Sequence, residues 1–541
     1  MSTIPDLLEL CAAEREVVFP DGRLSYGEIA VEARRLAGSL WAEGIRPGDH
    51  VGVLVPGGIA SVTTWLGIAY LGAVTVPVNP RLKAAELAYV VEHADLRLLF
   101  ADTALGPVLA SALPGLAACS GQLSLRVAPV LRAVVAVDDG PTPAGWLSRT
   151  AFSANSADAA TVAAARAGVR AEDPALILYT SGTTARPHGC VHDNASLVAE
   201  GGAVAERLGL TSQDRFWTAL PMFHCGGYDV VLAALAAGCA MVHTGPFEPG
   251  LALRQLSEER CTVAFPAFET IWLRVLDHPE FPRTDLSALR LVLNVGAPER
   301  LRAMQARIAP AVQMSSLGST ESLGFCCVGS PDDPADVRAT TSGKVLRHME
   351  VRVVDPQTRT VVPAGTRGEL QFRGTSRFSH YHRDPELTAE RLDPAGWFST
   401  GDLVVADPAG RLSFVSRLKD MLKVGGENVS AAEVEGCLAD HPACDVVQVV
   451  AAPDARLGEV AAAFVQLRPG ATVTERALID HCLGRIATFK VPRYIRFVTD
   501  WPMSGTKVQK FRLREVIASG LRAAGITEAP RLSSRSTGLH S

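Results

Sequence analysis

The segment Tyr179-Thr180-Ser181-Gly182-Thr183-Thr184-Ala185-Arg186-Pro187-His188-Gly189 follows the short apolar run ALILYT. Small hydroxyl residues and glycines in that setting let backbone N–H groups and Oγ atoms converge on an oligophosphate. The spacing is not that of the GxxxxGK loop, and a Ser/Thr/Gly-rich stretch also occurs as a plain turn. From these residues alone both readings stand. Thiol chemistry has less support. The 11 cysteines include no CxxC pair and their number is odd, which fits reduced, mostly buried thiols in a cytoplasm. Cys326 and Cys327 are adjacent, a poor arrangement for chelating a metal.

The elements that must position such a loop follow from periodicity. ALILYT, RFWTALP, CAMVHT, TVAFPA and LRLVLNVG are apolar runs of strand length. Between them FETIWLRVL puts Ile271, Trp272, Val275 and Leu276 on one helical face, and Asn194 is placed to cap the helix after the loop. Strands alternating with helices predict a mostly parallel sheet covered on both sides, with ligands beyond the carboxyl ends of the strands. Val51 to Asn79 contains no charged residue, but Pro56, Gly57, Gly58 and Pro77 divide it into strand, turn, buried helix and strand. After Ser342 short strands such as MEVRVVD and GELQFRG predict a small β-rich subdomain. From Arg417 an α/β pattern resumes, with helices over Ala431–Ala439 and Glu475–Cys482 and strands in VVQVVAA and EVAAAFVQL. The region from Pro114 to Val169 is Ala-rich and weakly patterned. From Glu528 onward Ser, Arg, Gly and Thr without periodicity predict a disordered tail.

With 541 residues the chain has room for three or four domain-sized cores. Hydrophobic residues at 48% and charged residues at 20% are globular proportions. Lys+Arg of 52 against Asp+Glu of 57 leaves −5, which gives no footprint for nucleic acid or an anionic membrane. The N-terminal MSTIPDLLELCAAERE carries acids where a secretory signal needs positive charge. A cytoplasmic protein is the expectation.

In its motifs the chain resembles the adenylate-forming superfamily of acyl-CoA synthetases, luciferases and peptide-synthetase adenylation domains. The resemblance runs from Leu24 to Arg514 and is nearest to the acyl-CoA synthetases. YTSGTT matches that family's phosphate loop, PMFH (Pro221 to His224) its acyl-site motif and GSTE (Gly318 to Glu321) its metal and adenine motif. STGDL (Ser399 to Leu403) matches its ribose motif. SRLKDMLKVGGENVSAAEVE, from Ser416, matches the hinge and the loop after it, and KVQKFRLRE, from Lys507, the segment of the late catalytic lysine.

The resemblance implies a large N-terminal α/β domain of two doubly wound subdomains plus the β-rich subdomain, and a small mobile α+β C-terminal domain. The expected limits are 1–416, 417–527 and a tail over 528–541. It implies ATP-dependent adenylation of an aryl or alkyl carboxylic acid, release of pyrophosphate, and transfer to CoA, with Mg2+ as metal. Charge at the transferring phosphate has to be neutralised in the transition state. Glu321, with Thr184, is the expected Mg2+ site, a hard oxygen donor for a hard cation. Asp402 would accept from the ribose hydroxyls, Arg417 would reach ribose or phosphate, and Lys507 would contact the α-phosphate and the carboxylate. Nucleotide contacts are further expected from Thr180, Ser181, Gly182, Thr183, Thr184, His188, Gly296, Ala297, Pro298, Leu317, Gly318, Ser319 and Thr320. The acyl pocket would involve Phe223, Cys225, Gly226, Tyr228 and Val295. His224 either gates that pocket between half-reactions or is a core histidine. Lys419 stands at the hinge, and Gly425 and Gly426 in the acceptor loop.

Adenylation domains for α-amino acids carry Asp directly after the aromatic residue here, whereas this chain has Phe223-His224. Asp229 lies five residues beyond and cannot take that place. An unpaired α-ammonium is therefore not the expected handle. Other departures are His188 where the phosphate loop ends in lysine, Ala185 for a glycine, and Leu317 for the aromatic that packs on adenine. Val295 replaces a small glycine and Thr506 the glycine before the lysine, in a segment one residue short. They keep open a ligase with another acceptor: a carrier protein acting in trans, an amine, or nitrite activated for diazotisation in specialised metabolism. A degenerate nucleotide-binding homologue is the remaining alternative, and retention of Glu321, Asp402, Arg417 and Lys507 argues against it.

Overall fold

The computed structural model describes residues 3–119, 123–138, 140–180, 187–424, 427–483, 485–504 and 507–532, without the side chains of Lys419, Asn428, Ser504 and Lys507. The chain divides into two compact units. The first comprises Met1–Arg352, Gln371–Ser399 and Asp407–Ser413, and the second Val353–Leu370, Thr400–Ala406 and Phe414–Ser541. The strands of the β-rich stretch, Met349–Val354, Arg367–Gly374, Phe398–Ala406 and Leu412–Arg417, are those in which these limits fall.

The first unit is built on two seven-stranded sheets. One runs Val312–Met314, Leu291–Val295, Val263–Phe268, Arg215–Thr218, Ala240–His243, Glu16–Phe19 and Gly22–Ser25 in spatial order, parallel except for the last hairpin. The other runs His380–Tyr381, His188–Asp193, Pro174–Thr180, Val74–Pro77, His50–Leu54, Leu98–Ala101 and Ala133–Ala136. Its first three strands are antiparallel neighbours and the rest are parallel. One apolar core holds residues of both sheets together with the helices Tyr26–Ala42, Ile59–Leu71, Asn194–Arg207 and Cys225–Ala237. Ile59–Leu71 is apolar all round because it is buried all round. Helices Pro249–Glu258, Glu269–Leu276 and Pro298–Ile308 cover the outer face of the first sheet, and Ala84–His93 and Gly106–Ala112 that of the second. This is the doubly wound α/β arrangement the alternating pattern calls for.

The weakly patterned region supplies the edge strand Ala133–Ala136 and the helices Arg149–Ser153 and Ala159–Ala167. One local expectation is corrected. The helix Asn194–Arg207 is capped by Asp193, whose carboxylate accepts from the Ser196 N–H at 2.8 Å. Asn194 instead turns back, accepting from the Ile4 N–H at 3.1 Å and donating to the carbonyls of Arg170 and Asp173.

In the second unit, Met421–Val424, Glu427–Ser430, Cys444–Asp454, Gly458–Leu467 and Tyr494–Phe497 form a five-stranded sheet. It shares a core with helices Ala431–Ala439, Glu475–Cys482 and Lys510–Ala523. Ala529 is buried at the edge of that core and its N–H donates to Asp454 at 2.6 Å. Among the described residues no helix is long and apolar enough to cross a membrane.

Two kinds of buried titratable group set a pH profile for stability. Glu200 and Asp229 are buried on neighbouring helices; burial raises both carboxyls above their ordinary range, and Glu200 raises Asp229 further. The native state therefore keeps protons that the unfolded chain loses, and stability falls as pH rises above the ordinary carboxylate range. His243 shows the opposite sign. Its Nε2–H donates to the Leu220 carbonyl at 2.6 Å, its Nδ1 accepts from the Gly245 N–H at 2.8 Å, and burial pushes it down from 6.5 to about 4. It is folded neutral, so its contribution is lost as pH falls from 6.5 toward 4. Thermal midpoints against pH are expected to form a dome, with limbs approaching roughly 1.4 kcal/mol per pH unit for each proton. Asp229→Asn should flatten the alkaline limb; an unchanged limb would remove the acid pair as its cause.

Candidate active site

The expected contact residues of the first unit follow the carboxyl ends of parallel strands, where the loops of such sheets meet ligands. Thr180 ends Pro174–Thr180, Pro221 to His224 follow Arg215–Thr218, Gly296 to Pro298 follow Leu291–Val295, and Ser316 to Glu321 follow Val312–Met314. Ser181, Gly182, Thr183 and Thr184 lie outside the described residues. On either side of them the chain is a hairpin, Thr180 pairing with His188. His188 turns its Nδ1 to the Asp384 carboxylate at 3.2 Å, so the imidazole faces an anion of its own chain. Asp384 in turn caps the helix Pro385–Arg391, accepting from the Leu387 N–H at 3.0 Å.

The segment Ser316 to Val328 is a tight hairpin around a short 3-10 turn, Thr320–Ser322. Leu317 is half-buried and pairs with Cys327. Ser319 caps the turn, its N–H donating to the Ser322 hydroxyl at 2.9 Å. The Glu321 backbone carbonyl accepts from the Phe378 N–H at 2.8 Å, and its carboxylate accepts from the Tyr381 hydroxyl at 2.7 Å. Burial, reinforced by Glu321, drives the Tyr381 phenol far up, so that hydroxyl stays a donor. His192 is buried and pushed down to about 4 by burial, and as neutral imidazole its Nε2–H holds the Thr320 carbonyl at 2.9 Å. Gly318 leaves no room for a side chain, since a Cβ there would meet the Gly324 carbonyl oxygen at 2.0 Å.

Gly296 and Ala297 are held by Glu269. A Cβ on Gly296 would fall 2.2 Å from a Glu269 oxygen, and the Ala297 N–H donates to that carboxylate at 3.0 Å. Arg300 pairs with the other oxygen at 2.9 Å. Burial raises the Glu269 carboxyl and Arg300 opposes the rise. Pro298 opens the next helix, where a missing N–H costs nothing. Val295 is among the exposed apolar side chains.

Phe223 is buried, with the Arg81 guanidinium 6.0 Å above its ring and the His224 ring 4.7 Å away. His224 is half-buried and takes the N-cap position of Cys225–Ala237; its N–H donates to the Pro221 carbonyl at 3.1 Å. Cys225 is half-buried, and Gly226 packs where a Cβ would strike Leu220. Tyr228 points into the core, edge-on to Trp65 with ring centroids 4.6 Å apart.

In the second unit Asp402 and Arg417 meet each other, Oδ1 to Nε at 2.9 Å, with Asp402 almost wholly buried. The turn before Asp402 is tied down: the Thr400 hydroxyl donates to the Leu370 carbonyl at 2.7 Å and the Gly401 N–H to Glu369 at 3.0 Å. Gly401 has φ of 71°, which favours glycine. The backbone of Lys507 lies in the strand Lys507–Val508, opposite Ser504. Its side chain and that of Lys419, and Gly425 and Gly426 altogether, are outside the described residues.

The sequence matches the AMP-binding enzymes over residues 11–382 and the AMP-binding enzyme C-terminal domain over residues 433–507. The chain belongs to the AMP-binding enzyme family. This AMP-binding enzyme is 34% identical over 536 residues to YngI of Bacillus subtilis, which carries the name of an acyl-CoA synthetase; the match covers 95% of this chain and 97% of YngI. Among solved structures it is similar to the anthranilate CoA ligase AuaEII in complex with anthranoyl-AMP, with a TM-score of 0.83 and 27% identity over 96% of this chain and 98% of that one. It is also similar to the amide bond synthetase McbA of Marinactinospora thermotolerans, with a TM-score of 0.81 and 27% identity over 95% and 99%.

Five residues at this enzyme's candidate site escape sequence reasoning: His192, Glu269, Arg300, Tyr381 and Asp384. Four of them act on an expected residue far away in the chain, as Tyr381 does across 60 positions on Glu321, and Arg300 pairs with one of those four, Glu269. Only Asp384 had a local signal, since Asp-Pro ahead of a polar-apolar pattern marks a helix start.

Proposed function

We infer that the chain is an AMP-forming acid ligase that activates a carboxylic acid with ATP and passes the acyl group to CoA. A carboxylate oxygen attacks the α-phosphorus, the bond from that phosphorus to the β-bridging oxygen breaks, and pyrophosphate departs. The CoA thiol then attacks the acyl carbon, its proton passes to solvent, and AMP leaves. The observation that carries this reading is similarity over 95% of the chain to proteins named as an acyl-CoA synthetase and a CoA ligase, at 34% and 33% identity.

The finer assignments are proposals. Thr180, the hydroxyl loop from Ser181 to Thr184 and His188 cradle the phosphates, with the His188 ring held beside the Asp384 carboxylate. Gly296 to Pro298 and Leu317 to Thr320 hold the adenine, Asp402 the ribose and Arg417 the ribose or a phosphate. Glu321 is the residue that would hold Mg2+, because a single hard carboxylate suits an ion that takes its other positions from water and phosphate. That ion, when bound, neutralises phosphate charge. Tyr381 orients the Glu321 carboxylate beforehand, and Lys507 meets the developing charge on the α-phosphate. Lys419 is the hinge for a second arrangement in which Gly425 and Gly426 face the acceptor. Phe223, Cys225 and Val295 shape a pocket for an aryl or alkyl acid in a cytoplasmic enzyme, and Tyr228 supports that pocket from behind.

A second reading has one observation in its favour, the likeness to an amide bond synthetase. There an amine, or a carrier protein's thiol, takes the place of CoA. Pyrophosphate release over a panel of carboxylic acids, with and without CoA, tests both. The first reading requires acyl-CoA to form in step with AMP. Pyrophosphate release with no acyl-CoA, and amide formed when an amine is added, would establish the second.

A further inference from the structure

Glu200 and Asp229 are the least expected groups in the first unit's interior. Both are buried, on the packed helices Asn194–Arg207 and Cys225–Ala237, and neither is paired with a cation among the described residues. Both Asp229 oxygens lack any hydrogen-bond partner among those residues, and the Glu200 carboxyl has the Ser376 hydroxyl beside it. Two uncompensated carboxyls in apolar surroundings are costly, and hydrophobic side chains would fill the same volume without that cost.

What the two acids share is their target. Glu200 Oε1 accepts from the Phe325 N–H at 3.2 Å. Asp229 lies against the preceding residue, where a Cβ on Gly324 would fall 1.8 Å from Oδ2. Gly324 has φ of 121° and follows Leu323 at φ of 58°, so the chain reverses sharply at this point. Its N–H donates to the Ser319 carbonyl at 2.9 Å, and Gly318 packs directly on its carbonyl. The two carboxyls thus bear on consecutive residues at the exit of the turn that carries Glu321, Glu200 by a hydrogen bond and Asp229 by close packing. The helices bearing them are locked together, since Gly201 approaches the Leu232 carbonyl too closely to admit a side chain.

We propose that Glu200 and Asp229 are positioning residues for adenylation, clamping Gly324 and Phe325 so that the turn Gly318–Leu323 presents Glu321 in one geometry. The inference rests on the reading of Glu321 given above. An acceptor is needed at Phe325 because its N–H is buried, and the compact Asp229 carboxyl fits a space too close for any residue but glycine opposite it.

Three measurements on the full chain test the clamp: hydrogen exchange of peptides spanning Gly318 to Phe325 in the nucleotide-free protein, kcat and KM for pyrophosphate release, and thioester formation from supplied acyl-AMP. Glu200→Leu removes the acceptor and should speed exchange in that turn about tenfold or more. It should lower adenylation kcat by a similar factor, with KM for the acid and transfer from acyl-AMP little changed. Glu200→Gln keeps an acceptor and should restore both. Should Glu200→Leu not fold, Glu200→Asp withdraws the carboxyl by one methylene and should show the same losses in smaller measure. Unchanged exchange and kcat in the folded variants overturns the proposal. So does equal damage from Glu200→Gln, or equal loss in both half-reactions. A parallel Glu321→Gln variant separates the two readings. If it adenylates normally, the role of Glu321 is wrong, while the exchange data still report on the clamp.

Discussion

Lys507→Ala is expected to slow acyl-AMP formation about 10²–10³-fold, the usual loss when one preorganised donor to a developing anion is removed. Supplied acyl-AMP should still be converted to thioester at close to the wild-type rate, because the α-phosphorus is not the centre attacked in that step. The surroundings make Lys507 the one to test. Lys510 is held by Glu435 at 2.7 Å and Arg514 by Asp420 at 3.0 Å, both as structural ties of the helix Lys510–Ala523 to its own unit. Lys510→Ala is therefore the control: it should cost stability and leave the ratio of the two half-reactions unchanged. Equal failure of Lys507→Ala on both half-reactions would withdraw the assignment.

Asp402→Asn has the second largest expected effect. The side chain keeps its shape, yet the ribose hydroxyls lose a charged acceptor and Arg417 loses its counter-ion at 2.9 Å. Hydrogen bonds to charged groups contribute about 1.5–3 kcal/mol, so kcat/KM for ATP should fall roughly ten- to hundredfold. The discriminating substrate is 2′-deoxy-ATP. Wild-type enzyme should favour ATP over it, and Asp402→Asn should lose most of that preference. A preference that survives the substitution would mean Asp402 acts only through Arg417.

Much of the first unit could be read from its apolar runs because many of its strands, Leu98–Ala101 and Ala240–His243 among them, are buried on both faces. The second unit's helices end where the pattern ends, at Ala431–Ala439 and Glu475–Cys482. The strand His188–Asp193 was not foreseen. Its residues mix two histidines, a glycine and an aspartate, and it forms because Pro174–Thr180 and His380–Tyr381 offer ladders on both sides. A lone sequence cannot display those partners. The same holds for function. Expected contact residues lay in short motifs, whereas the groups that orient them, Tyr381 on Glu321 and Glu269 on Ala297, are joined only by the fold. Asp193 displaced Asn194 as a cap for a similar reason, since Asn194 was taken by the carbonyls of Arg170 and Asp173.

The glycines packed against carboxylates and carbonyls have a bearing on how such an enzyme could be retuned. Gly296, Gly318 and Gly324 each sit where even a methyl group would overlap a neighbour, and those neighbours are the groups that hold the binding loops. Diversity introduced at these positions would be spent on collapsed loops, whatever acid is supplied. Phe223, Cys225 and Val295 stand on segments whose backbones are fixed by other residues, so their side chains can change in size without moving a loop. With Phe223, Cys225 and Val295 lining the acyl pocket as proposed, a library aimed at a new acid should vary those three and leave the glycines fixed.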